Sequence, residues 1–157
     1  MSDDRSSAAD ETVGRKALMA ALARAPIQQI ADGLQAATGT LDCVELRPVE
    51  TGLVMVRGRI GGDGQPFNVG EATVTRAAVR IASGEVGVAY VLGRDRDKAR
   101  LAAMCDAAWQ NKAQRAAIEQ HVLAPIRARQ DDEDARKRAQ TAATRVDFFT
   151  LVRGEDA

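Results

Sequence analysis

Two groups of residues in this chain have the types and spacing to do chemistry. The first is a glycine cluster, Gly58, Gly61, Gly62 and Gly64, with Arg57 and Arg59 beside it. Successive backbone amides freed of side chains can cradle an anion, and the arginines would add charge. The same glycines equally suit a long hairpin loop that needs positive φ angles. The second group lies in ATVTRAAVRI, where Arg76 and Arg80 are an even number of residues apart. On a regular strand both then point to one face. Two guanidinium forks on one face suit a phosphate or a partner's carboxylate. An ordinary solvated sheet face would look the same.

Other chemistries lack their residues. No P-loop and no GxGxxG occurs, and there is no CxxC. A nucleophilic triad would have to use Ser83 and His121, because the other serines fall in the first seven residues and His121 is the sole histidine. Carboxylates are numerous but none forms an isolated acid–base pair. The expectation is therefore no catalytic residue, no metal site and no cofactor, with Gly61, Gly62, Gly64, Arg76 and Arg80 as candidate phosphate or partner contacts.

Composition narrows the partner class. The formal net charge of zero argues against nucleic acid, which needs a basic surplus to neutralise phosphates. The acidic, polar start and the short apolar runs predict neither a signal peptide nor a membrane span, hence a cytoplasmic protein. Cys43 and Cys105 read as free thiols. Of 22 basic residues only Lys16, Lys98, Lys112 and Lys137 are lysine, and Arg favours bidentate and interface pairs. GC-rich coding sequence would raise Arg and Ala as well.

The elements that must position these residues follow from periodicity. Residues 1–10 are polar and are expected to be disordered, ahead of a single domain over 11–157. A helix is predicted from about Glu11 to Arg24, N-capped by Asp10, and Pro26 starts a second with Ile27, Ile30, Ala31, Leu34 and Ala37 on one face. The middle alternates: a strand around Val44–Arg47 ending at Pro48, a turn at Glu50-Thr51-Gly52, and a strand Leu53–Val56. A strand system from Phe67 to Ile81 follows, bulged near Gly70, then a turn at Ser83-Gly84 and a strand Val86–Leu92. Helix resumes after Gly93, with Asp95 and Asp97 at its start and Leu101, Met104, Cys105, Ala108 and Trp109 as its stripe. In DDEDARKR, acids precede bases by four residues, the favourable helical order. The fold class is α+β: an N-terminal helical hairpin, a central antiparallel sheet of four or five strands, then C-terminal helices and a short terminal strand or tail. Near the end, Phe148 and Phe149 sit among Arg145, Asp147 and Arg153. Adjacent aromatics on a strand face opposite sides, so this stretch suits an interface or packing under the chain's own helices.

Taken in order, local words resemble a known family. ETGLVMVRGRIGGDGQPFNVGEATVTRAAVRI (residues 50–81), GEVGVAYVLGRD (84–95), LAPI (123–126) and RVDFFTLVRGEDA (145–157) are similar to the G subunit of the bacterial carbon–phosphorus lyase core complex. That resemblance implies an accessory subunit in phosphonate catabolism, with the H, I and J subunits as partners. With the H, I and L components it would serve the step that displaces the adenine of ATP by an alkylphosphonate. It brings no catalytic residue to this chain and implies no activity alone. The alternative from a different class is a free-standing anion-binding domain using the glycine loop.

Overall fold

The computed structural model describes residues 3–61 and 63–144. Helix α1 covers Asp3–Arg24 and α2 covers Ile27–Thr38; strands β1 (Cys43–Arg59), β2 (Pro66–Ile81) and β3 (Val86–Leu92) follow. Helix α3 is Arg96–Gln110, and a continuous helical run closes the described chain: α4 (Arg115–Ile118), a π-turn (Glu119–Leu123) and α5 (Ala124–Ala143).

Helix α1 begins at Asp3, upstream of the expected start at Glu11, so the predicted cap Asp10 lies inside it. No glycine or proline before Gly14 stops the helix from propagating backward. The two N-terminal helices do not form a hairpin packed chiefly on itself. Helix α2 lies against α3, α4 and the π-turn, and α1 lies against α3 and α5.

The sheet is antiparallel, in the order β1-β2-β3. Among the described residues the sheet has three strands where four or five were expected, because the predicted strands flanking Glu50-Thr51-Gly52 are one. Register shifts near Arg47 and Glu50 absorb Pro48 without ending the strand, and Thr51 and Gly52 pair with Thr75 and Val74. Proline is tolerated there because β1 is an edge strand with bulges. The bulge expected near Gly70 is present, opposite Val56 and Arg57. Gly84, with φ of 105°, makes the predicted turn into β3. The expected terminal strand or tail lies outside the described residues.

Helix α3 packs on the inner face of β2 and β3, with the other helices behind it. Asp95 caps it, its Oδ1 accepting the Lys98 N–H at 2.9 Å. Approach is close enough that a Cβ on Gly87 would sit 1.9 Å from the Ala103 carbonyl oxygen. The core joins Leu18, Leu22, Ile30, Leu34, Ala77, Val79, Ala89 and Val91 to the small residues of α3 and to Ile118, Val122, Leu123 and Ile126. Trp109 closes one side: Gly14 lies under its ring, its Nε1 donates to Glu119 at 2.7 Å, and the Arg115 guanidinium stacks 4.1 Å from its centroid. In DDEDARKR, Asp134 pairs with Arg24 of α1 and Glu133 reaches back to Arg129, so the expected forward pairs give way to others.

Candidate functional site

Register decides which side chains share the sheet's outer face. Along β2, Thr75, Ala77, Val79 and Ile81 are buried, which turns Arg76, Ala78 and Arg80 outward. Glu50 lies opposite Arg76 on β1 and Tyr90 opposite it on β3. Arg76 and Arg80 therefore do share one face, but their states differ. Arg76 donates from Nε to Glu50 Oε1 at 2.8 Å, with its Nη2 2.6 Å from the same oxygen. That hydrogen bond, then the carboxylate's charge and Tyr90, hold the guanidinium's pKa above its usual value. Arg80 is exposed and has no partner among the described residues. A free anion would have to displace Glu50 to use both.

Beside this pair is a depression of about 160 Å³, lined by Glu50, Gly52, Val54, Val74, Arg76 and Tyr90. Gly52 makes it: a Cβ there would meet nothing within 4 Å. The cavity is smaller than the hundreds of Å³ usual for small-molecule sites. It fits one side chain of a partner better than a nucleotide.

The glycine cluster is elsewhere. Gly61, with φ of 67°, and Gly64, whose Cβ would lie 2.0 Å from the Ile60 carbonyl oxygen, shape the β1–β2 loop. Both need glycine for the turn itself, and Gly62 lies outside the described residues. From Glu50 to Arg59 the strand spans about 30 Å at the usual rise, so the loop and the arginine pair belong to separate places.

Between them runs a projecting ribbon. Beyond Val74, which pairs with Leu92, β2 has no β3 partner, and Leu53–Arg59 pairs only with Pro66–Thr73. Leu53 is 63% exposed, Met55 53%, Val69 61% and Ile60 78%, and Val54, Val56 and Phe67 are exposed too. Side chains alternate in direction, so apolar groups cover both ribbon faces. A two-stranded ribbon is marginal alone, and apolar surface on both sides marks contact with another surface. The outer face continues it with Val44, Val88, Tyr90 and Leu92. Sequence periodicity missed this because a strand apolar on both faces reads as a buried one.

The expected interface residues Arg145, Asp147, Phe148, Phe149 and Arg153 lie outside the described residues. Ser83 sits in the β2–β3 turn, donating to Glu85 and accepting from Asn111, and His121 is exposed in the π-turn. Burial pushes the Cys105 thiol up to about 12, helped by the adjacent Asp106 charge, so it is no nucleophile at neutral pH. Among the described residues no three His, Cys, Asp or Glu side chains gather as a metal site, and no helix is long and apolar enough to cross a membrane.

One buried carboxylate escaped sequence reasoning. Asp106, 1% exposed, accepts from Arg15 Nε at 2.9 Å and Nη2 at 2.7 Å, and from the Val88 N–H at 2.9 Å. Its signal was an acid set within the apolar run Ala102–Trp109. It joins α1, α3 and β3, and its contacts are structural.

Comparison with known proteins identifies the chain's family. Residues 13–154 match the family model described as phosphonate metabolism protein PhnG. The alpha-D-ribose 1-methylphosphonate 5-triphosphate synthase subunit PhnG of Rhizobium meliloti (strain 1021) is 52% identical over 142 residues, covering 90% of each chain. The chain belongs to the PhnG family of phosphonate-metabolism proteins.

Proposed function

We propose that this chain is a non-catalytic, accessory subunit of the carbon–phosphorus lyase core complex, assembling with the H, I and J subunits. In that assembly it supports the H, I and L components in transferring the ribose triphosphate part of ATP to an alkylphosphonate. The observation that carries the reading is the ribbon, apolar on both faces and uncovered by any described part of its own chain. The relative's name as a synthase subunit supports it. The role is positional: the outer face, with Arg76, Arg80 and the dimple over Gly52, offers contacts to a neighbouring subunit.

The test is co-expression of the tagged chain with the H, I and J subunits, affinity capture and mass determination. Stoichiometric recovery of the partners is the expected result. A chain recovered alone, monodisperse and folded, that binds nucleotide by calorimetry would replace this reading with a free-standing anion-binding domain.

A further inference from the structure

The sheet has two edges, and the fold treats them differently. On β3, Val88 lies opposite Ala78, whose main chain bonds toward β1, so the Val88 N–H turns to the free edge. That donor is capped by Asp106 Oδ2 at 2.9 Å, and the neighbouring Val86 carbonyl accepts from Gln110 Nε2 at 2.9 Å. Side chains of α3 thus close this edge to strand addition.

On β1 the geometry leaves the groups bare. The Gly93 N–H donates to the Thr73 carbonyl at 2.9 Å, so the Thr73 main chain faces β3. Its β1 partner, Leu53, then turns its own N–H and C=O away from β2, and alternation does the same for Thr51 and Met55. No described residue bonds these groups. The devices that usually guard an edge are bulges, prolines and charges. They occur at its two ends, with the register shifts around Arg47 and Glu50 and Pro48 upstream and the Val56/Arg57 register shift downstream, but none falls within Thr51–Val56.

We propose that an extended apolar segment of a partner subunit adds beside Thr51–Val56 as a fourth strand of this sheet. The inference rests on the reading of the chain as an assembly subunit. Only another extended main chain offers donors and acceptors alternating at the spacing of Thr51, Leu53 and Met55. Its side chains would lie against Leu53 and Met55 on one face and Val54 and Val56 on the other. Charge selects the occupant. Arg47 precedes the bare stretch, and Arg57 and Arg59 follow it, none with a described partner, while Glu50 is held by Arg76. The added strand therefore carries carboxylates at its ends. An antiparallel second copy centred on Leu53 would instead bring Arg59 across from Arg47, and like charges opposite each other are destabilising.

Hydrogen exchange read by mass spectrometry, on the full chain alone and in the captured assembly with the H, I and J subunits, tests this directly. The amides of Thr51, Leu53 and Met55 should exchange freely alone and slow at least about tenfold in the assembly. Leu53→Pro removes an N–H that β2 does not use. It should cut partner recovery at least about tenfold while Leu53→Ala, which keeps the N–H, retains most of it. If Leu53→Pro does not fold, the exchange of the wild-type assembly decides alone. Unchanged exchange at these amides in a recovered assembly overturns the added strand and leaves the subunit reading standing. A dimer of the chain alone that protects the same amides overturns the choice of occupant. Failure to recover any partner with the wild type overturns both readings together.

Discussion

Replacing Asp106 tests whether one carboxylate ties three elements together. Asp106→Ala removes a bidentate partner from Arg15 and the acceptor of the Val88 N–H. Hydrogen bonds to charged groups contribute about 1.5–3 kcal/mol each, and breaking a buried pair costs about 3–5 kcal/mol. The Arg15 side chain is 38% exposed and can rehydrate, which discounts its share and places the loss near the low end, about 3 kcal/mol. For a chain of this size that lowers Tm by roughly 6–12 °C. Asp106→Asn keeps an acceptor for Val88 but loses the charge, and should cost about half as much. Thermal and urea unfolding by circular dichroism measure both. If the pair carries the effect, adding Arg15→Ala to Asp106→Ala should cost almost nothing further. A loss below about 1 kcal/mol for Asp106→Ala would refute the reasoning, because that is the scale of an ordinary surface contact.

Further outcomes follow from burial and close approach. At pH 8 a thiol reagent should label Cys43 in the native chain and both cysteines after denaturation; native labelling of Cys105 would contradict its burial. Because folding raises the Cys105 pKa to about 12, its contribution is present below the ordinary thiol pKa and is lost as pH climbs toward 12. Cys105→Ala should therefore flatten the alkaline fall in Tm. Gly87→Ala drives a Cβ into the α3 backbone and should cost about 1–3 kcal/mol or more, as overpacking does. Gly52→Ala points into open space and should be neutral or stabilising by about 0.5–1 kcal/mol. Unfolding curves that rank the two the other way would contradict the close approach of β3 to α3.

Much of the fold was legible because local signals agreed with tertiary packing. Asp95 at a helix start, the Ser83-Gly84 turn and the parity change near Gly70 each have a local cause that survives folding. What misled was punctuation that tertiary structure overrode. Glu50-Thr51-Gly52 reads as a turn by composition, yet each of its residues is paired across from β2. Arg76 and Arg80 were correctly placed on one face, but their inequality depends on Glu50, which approaches only once the register is set. Likewise no spacing rule joins Arg15 to Asp106, 91 residues away. The glycine loop was readable as either a cradle or a hairpin, and the φ of Gly61 and the close approach of Gly64 to Ile60 give the turn its own need for glycine.

The apolar content of this chain is divided between two destinations. The body packs largely small residues, Ala99, Ala102, Ala103, Ala107 and Ala108 among them, so that α3 can lie directly on the sheet at Gly87. Leu53, Val54, Met55, Val56, Ile60, Phe67 and Val69 contribute nothing comparable to that core, because they stand on the ribbon beyond the reach of β3. Counting apolar residues therefore overstates the chain's own core and understates its capacity for contact. The two edges repeat the division in hydrogen bonds: on β3, Asp106 and Gln110 bond the Val88 N–H and the Val86 carbonyl from within, whereas no described residue bonds the outward groups of Thr51, Leu53 and Met55. Among the described residues, then, the body buries its apolar side chains and the ribbon leaves both side chains and backbone groups uncovered, which is the division that the proposed subunit role requires.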